Sequence, residues 1–150
     1  MGKTEPSLRA RALRFLARRE HSRAELARKL APLVADGDDI EAVLDDFTQR
    51  GWLSDARYAE QTIRAKSPRF GPVKLAHALR AKGVAEDEID AAFRAAGEHG
   101  AADIARVWAS RFSQAPADQR ERARQVRFLQ GRGFTLGAIL IFMKRTPERA

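Results

Sequence analysis

One interval of 49 or 50 residues governs this chain. It separates Leu30, Leu79 and Leu129, and it separates Ile40, Ile89 and Ile139. Leu44, Phe93 and Met143 keep it, as do Ala27, Ala76 and Val126. Four apolar series at one period are hard to obtain by accident. Periods of this size mark stacked supersecondary units that bury their apolar faces partly on one another. The competing reading, a nine-helix globule with fortuitous spacing, has to explain all four series separately.

Each unit reads as helical. Ala, Leu, Arg and Glu dominate, and Val-Ile-Thr alternation is missing. Leu8, Ala12, Phe15 and Leu16 fall at helical spacing. Ser22-Arg23-Ala24-Glu25 has the form of a capping box opening a second helix through Leu26 and Leu30. Asp36-Gly37-Asp38-Asp39 precedes Ile40, Val43, Leu44 and Phe47, an acidic start facing the positive end of a helix dipole, and Gly51 ends that helix. The triplet recurs. Ser54 or Asp55 caps a helix through Tyr58, Thr62 and Ile63. Gly71-Pro72 opens the next, with Leu75, Ala76 and Leu79 on its apolar face and Gly83 as its stop, and Glu86-Asp87-Glu88 starts the third. In the last copy Ile104, Val107, Trp108 and Phe112 read as one helix, Pro116 as a break, and Val126, Leu129 and Gly133 as a helix and its end. Leu136, Ile139, Leu140 and Met143 complete the set. The expected fold is all-α, a tandem array of three three-helix, helix-turn-helix-like repeats, elongated or crescent-shaped. Its repeats span 8–53, 54–99 and 100–145, with tails at 1–7 and 146–150. The final helix is apolar on nearly all sides; the expectation is that the preceding unit buries it, the alternative being an exposed patch for a partner or for self-association.

Charge is unevenly spread. The net charge is +8, but residues 1–30 hold nine bases and three acids, residues 31–60 two bases and eight acids, and residues 120–150 eight bases and two acids. Arg64, Lys66, Arg69, Lys74, Arg80 and Lys82 crowd the end of one helix, a turn and the next helix. Lys74, Arg80 and Lys82 avoid the apolar positions, so they are expected in solvent, within reach of phosphates. Arg120, Arg122, Arg124, Arg127 and Arg132 occupy the equivalent region of the third unit, and Arg9, Arg11, Arg14, Arg18 and Arg19 form another group near the N-terminus. Taken singly, each is an ordinary solvated helix residue; the claim rests on the clusters. Non-specific contact with a polyanion follows, and the candidates are Arg64, Lys66, Arg69, Lys74, Arg80, Lys82, Arg124, Arg127 and Arg132.

Several chemistries find no support. Cysteine is absent, which removes disulfides and thiolate metal sites and suits a reducing cytoplasm. His21, His77 and His99 are scattered without zinc-site spacing, and the aspartates at 36–39 lack the ligand ladder of a calcium loop. There is no phosphate-binding glycine loop ending in Lys-Ser/Thr and no nucleophile elbow. No apolar run is long enough to cross a bilayer, and no signal peptide is visible. No cofactor, metal or catalytic residue is expected. Trp52 and Trp108 read as packing residues rather than base-stacking platforms.

The stretch Leu13 to Leu30, with Arg18-Arg19-Glu20-His21-Ser22-Arg23-Ala24-Glu25-Leu26 at its centre, resembles the opening repeat of RecX regulatory proteins. Gly51-Trp52-Leu53-Ser54-Asp55-Ala56-Arg57-Tyr58-Ala59 resembles that family's passage into its second repeat. Arg69-Phe70-Gly71-Pro72-Val73-Lys74-Leu75 through Ala81-Lys82-Gly83-Val84 is similar to its central signature, and Gln125 to Phe134 to the third-repeat version. The likeness covers roughly residues 8–145. It departs at His77-Ala78, where the family often has an acid before Leu79. The resemblance implies a non-enzymatic, cytoplasmic regulator, expected as a monomer, in DNA repair and recombination. Such a protein docks in the groove of the RecA filament, touches protein and single- or double-stranded DNA weakly and non-specifically, and mainly inhibits the recombinase. The residues alone also admit a direct helix-turn-helix DNA-binding regulator and a protein-only scaffold.

Overall fold

The computed structural model describes residues 5–97 and 103–145. Among them are nine α-helices, one 3-10 turn and no strand. The helices are α1 (Leu8–Arg18), α2 (Arg23–Leu30), α3 (Ile40–Gln49), α4 (Asp55–Lys66), α5 (Pro72–Ala81), α6 (Glu86–Ala96), α7 (Asp103–Ala109), α8 (Gln119–Gly131) and α9 (Leu136–Arg145), and the 3-10 turn Ala31–Leu33 follows α2. Three helices fall in each repeat, so three three-helix domains lie in tandem along the chain. His99 and the C-terminal stretch 146–150 lie outside the described residues.

Local chemistry sets the helix starts. Ser7, Ser22 and Asp39 accept from the backbone N–H three residues on, at 3.1, 3.1 and 3.2 Å. Ser54 does the same for Arg57 at 3.1 Å and so caps α4, while Asp55 accepts instead from the Arg23 N–H at 2.7 Å. The capping box at Ser22 is only half formed. Its serine caps α2, but the Glu25 carboxylate turns to Arg19 at 2.5 Å, because a guanidinium satisfies a buried carboxylate better than one amide does. Phe112 lies past the end of α7 in the following turn rather than on the helix, its N–H bonded to the Trp108 carbonyl at 2.9 Å.

Contacts divide the chain into two compact units, Met1–Ala59 with Leu79–Ala92, and Glu60–Ala78 with Phe93–Ala150. The division falls inside α4, α5 and α6. The core of the first unit gathers Leu8, Ala12, Leu26, Leu30, Leu44, Phe47 and Leu53. That of the second gathers Val107, Trp108, Leu129, Phe134, Ile139 and Met143. The leucine series of the repeat, Leu30, Leu79 and Leu129, is wholly inaccessible. Each such leucine contributes about 1.5–3 kcal/mol by leaving water.

Two expectations about apolar residues need correction. Trp108 is buried and donates its indole N–H to buried Gln125 at 2.8 Å. Trp52, by contrast, is 41% exposed, held between the Arg9 and Arg50 guanidiniums and the edge of Phe47. In α9 only Ile139 and Met143 are buried, while Leu136 and Ile141 are exposed. A helix apolar all round has more than one apolar stripe, and the core covers just one of them.

Candidate nucleic-acid interface

Consecutive repeats meet at two junctions, one in each unit, at equivalent positions of the repeat, with backbone carbonyls at the end of one helix accepting from the start of another. In the first, the Ser22 hydroxyl donates to the Lys82 carbonyl at 2.6 Å and Arg28 to the Ala81 carbonyl at 3.3 Å. In the second, the Gly71 N–H donates to the Arg132 carbonyl at 2.7 Å and the Val73 N–H to the Gly133 carbonyl at 2.9 Å. Ser22 and Gly71 are 49 residues apart and Lys82 and Arg132 are 50 apart, so the partners are equivalent by repeat. α5 has no side-chain cap; the turn at the end of α8 supplies the carbonyls its free amides need. The approach is close enough to require glycine. A Cβ on Gly71 would stand 2.6 Å from the Gly133 carbonyl oxygen, and Gly133 itself holds φ +101, a left-handed conformation.

The side chains on this common frame differ in sign. At the first junction Glu25 is buried and accepts from Arg19 at 2.5 and 3.0 Å, with Lys82 at 3.6 Å. Burial alone would raise its pKa, but the hydrogen bonds and charge of Arg19 outweigh that and lower it to about 2. Beside it lies buried His21, whose Nδ1–H donates to the Arg19 carbonyl at 3.0 Å while Nε2 accepts from Lys29 at 2.8 Å. A carbonyl only accepts and an ammonium only donates, so this is the neutral tautomer. Burial pushes its pKa below the usual histidine value. Positive charge here is answered from within the chain.

At the second junction Lys74 stands where Glu25 stood, Arg132 where Lys82 stood, and Phe70 where His21 stood. Lys74 and Arg132 both lie over the Phe70 ring, at 5.0 and 5.7 Å from its centroid. Arg132 also lies 5.3 Å from the Phe128 centroid, which Arg111 approaches at 5.6 Å. Phe128 meets Phe112 edge to face at 5.3 Å, and Arg124 covers Phe112 at 5.4 Å. The result is a row of cations alternating with half-buried rings. Among the described residues no carboxylate lies within ion-pair distance of Lys74, Arg111 or Arg132, and Arg124 alone has one, Glu121 at 3.2 Å. A ring face orients a guanidinium flat and leaves its N–H edge to solvent, the geometry that suits phosphate oxygens.

The other expected residues sort themselves against this row. Arg64, Lys66 and Arg69 are exposed at the end of α4 and in the turn after it, in the same unit as Lys74, and Arg127 is exposed on α8. Arg80 and Lys82 belong to the first unit, and both are occupied, Arg80 by Glu86 and Lys82 by Glu25. The N-terminal group is largely consumed as well: Arg9 pairs with Asp46, Arg11 with Glu5 and Arg19 with Glu25. Sequence reasoning missed Phe70, Arg111, Phe112 and Phe128. One signal was available, since Arg124, Phe128 and Arg132 follow at intervals of four, cation, ring, cation on one helix face.

Comparison with known proteins accounts for this arrangement. The family description for the first three-helix domain of RecX matches residues 9–47, that for the second residues 54–92, and that for the third residues 102–143. The chain belongs to the RecX family. A regulatory protein RecX from Leptothrix cholodnii is 49% identical over 129 residues, 86% of this chain and 82% of that protein. One from Herminiimonas arsenicoxydans is 40% identical over 148 residues, 99% of this chain and 98% of that one. The crystal structure of RecX from Lactobacillus salivarius shares the fold, with a TM-score of 0.77 at 18% identity over 93% of this chain and 94% of that one. RecX-family membership explains why three domains repeat; the difference in charge between the two junctions is read from this chain's own residues.

Proposed function

We propose that this chain binds the filament that RecA forms on DNA and restrains its growth, ATP turnover and strand exchange. What supports the reading is family membership together with one observation: Lys74 and Arg132 both lie over the Phe70 ring, and among the described residues no carboxylate is paired to either. Such a row contacts phosphates without reading bases, which suits a ligand that binds DNA weakly and non-specifically and recognises a nucleoprotein rather than a sequence. Regulation is then a matter of binding. A ligand that favours the capped filament over the extending one shifts the equilibrium by its differential affinity. The chain acts as a monomer in the cytoplasm, in recombination and DNA repair.

The test adds the purified chain to RecA assembled on single-stranded DNA and follows ATPase and filament growth, with an unrelated DNA-dependent ATPase as control. Both RecA activities fall as the chain is titrated, and the control enzyme is unaffected. Replacing Lys74, Arg124 and Arg132 together by Ala weakens the inhibition at unchanged helicity. Undiminished ATPase and growth at saturating protein would sink the reading. Inhibition indifferent to added salt would favour contact with protein alone.

A further inference from the structure

α9 (Leu136–Arg145) turns one apolar stripe, Ile139 and Met143, to the core of its unit. A second stripe, Ala138, Ile141, Phe142 and Arg145 at helical intervals, faces an open cavity of about 440 Å³. Pro72, Ile104 and Phe134 form its remaining walls. Among the described residues seven line it, six apolar and the seventh Arg145, with no carboxylate among them. Ile141 keeps 58% of its surface in water. Lys144 is exposed beside it, and residues 120–150 carry eight bases against two acids.

We infer that this groove receives an acidic amphipathic segment of a partner protein. An aliphatic or aromatic side chain of that segment seats against Ile104, Ile141 and Phe142, and a carboxylate pairs with Arg145. Size is the first support, since pockets of about 300–1,000 Å³ bury ligands of a few side chains. A second is the pattern of α9, whose outward stripe has the spacing by which one helix receives another in a groove. Charge decides the occupant. A basic segment would meet Arg145 and Lys144 with like charge, whereas an acidic one gains a guanidinium–carboxylate pair beside an apolar contact. Lys74, Arg124 and Arg132 do not line the groove, so the inference stands apart from the phosphate-contacting row.

Trp108 lies 5.9 Å from the Phe142 ring and reports on the groove once Trp52→Phe removes the other tryptophan. The probe is a synthetic tryptophan-free peptide in which leucine and phenylalanine recur at helical spacing between glutamates, titrated into the full chain. Two control peptides carry lysine for glutamate, or alanine for leucine and phenylalanine. The acidic amphipathic peptide should change Trp108 emission saturably, and neither control should. Ile141→Asp and Arg145→Glu each weaken its binding by about tenfold or more. Ala138→Glu, an exposed change to another good helix former, does the same and covers the case in which Ile141→Asp perturbs folding, as judged by circular dichroism. No saturable change at millimolar peptide, equal binding of the lysine peptide, or binding indifferent to all three variants overturns the proposal. So does self-association in sedimentation that Ile141→Asp abolishes, because a second copy is then the occupant.

Discussion

The two junctions between repeats use equivalent positions of the repeat for opposite electrostatic ends. At Ser22–Lys82 a buried carboxylate gathers the charge: Arg19 and Lys82 converge on Glu25, while Lys29 donates to neutral His21. At Gly71–Arg132 the equivalent positions hold Lys74, Arg132 and Phe70, and rings replace the counter-ions. The first arrangement closes on itself and stabilises the chain. The second leaves oriented charge at the surface, which costs little because it stays solvated and is available to a polyanion. A repeat can thus duplicate its architecture while only one copy leaves its cations without a carboxylate.

If that contrast is real, moving the charge of one junction to the other should have its largest effect at the first. Glu25→Lys buries an ammonium beside Arg19 and Lys82 and should cost about 3–5 kcal/mol in denaturant unfolding. A loss below 1 kcal/mol (about one ordinary surface substitution) would show that Glu25 is not the centre of that junction. Next in size is Gly133→Ala, which sets a Cβ 2.8 Å from the Lys74 amide nitrogen at a φ that alanine avoids. We expect about 2–4 kcal/mol of destabilisation. Gly83→Ala has φ +78 and meets the Ala24 side chain at 2.5 Å, so Ala24→Gly should recover part of its loss. No side-chain deletion offers the same relief at Gly133, where the backbone is in the way.

Acid should loosen the first junction before the second. The His21 pKa is depressed, so the unfolded chain takes up that proton first and stability declines as pH falls below about 6.5. Glu25 contributes fully above the ordinary value of 4.5 and loses its contribution as pH falls toward about 2. That contribution is on the order of 2–3 kcal/mol. A pH series of melting curves checks it, and Glu25→Gln should flatten the part below 4.5. The smallest changes in stability belong to the cations of the second junction. Lys74→Glu should leave stability within about 0.5 kcal/mol, since Lys74 is exposed, yet abolish salt-dependent binding to RecA on DNA. Lys74→Ala should lower the salt slope of that binding by about one phosphate contact, and Lys82→Ala should leave it unchanged. Equal effects of the two would erase the distinction between the junctions.

Much of the fold was legible in advance because its signals are local. Ser22, Ser54 and Asp39 cap helices within three residues of themselves, and the leucine series at 30, 79 and 129 marks the buried face of each second helix. Phe112 was misplaced because it keeps the helical spacing of Trp108 although the chain has already left the helix. Trp52 was misread because residue type argues for burial, while its exposure depends on Arg9 and Arg50 reaching across it.

Sequence by itself determined the threefold repeat, the helices with their caps, and the family, since caps and helical spacing are written in near neighbours and the repeat in residue types that recur along the chain without reference to what they touch. It also placed Lys74, Arg80 and Lys82 on or beside one helix and treated them alike. Only the tertiary structure separated them, binding Lys82 to Glu25 and Arg80 to Glu86 while setting Lys74 beside Arg132 on a ring. The physical reason is distance along the chain. Whether a cation is neutralised depends on which carboxylate folding brings within a few ångströms, and Glu25 stands 57 residues from Lys82.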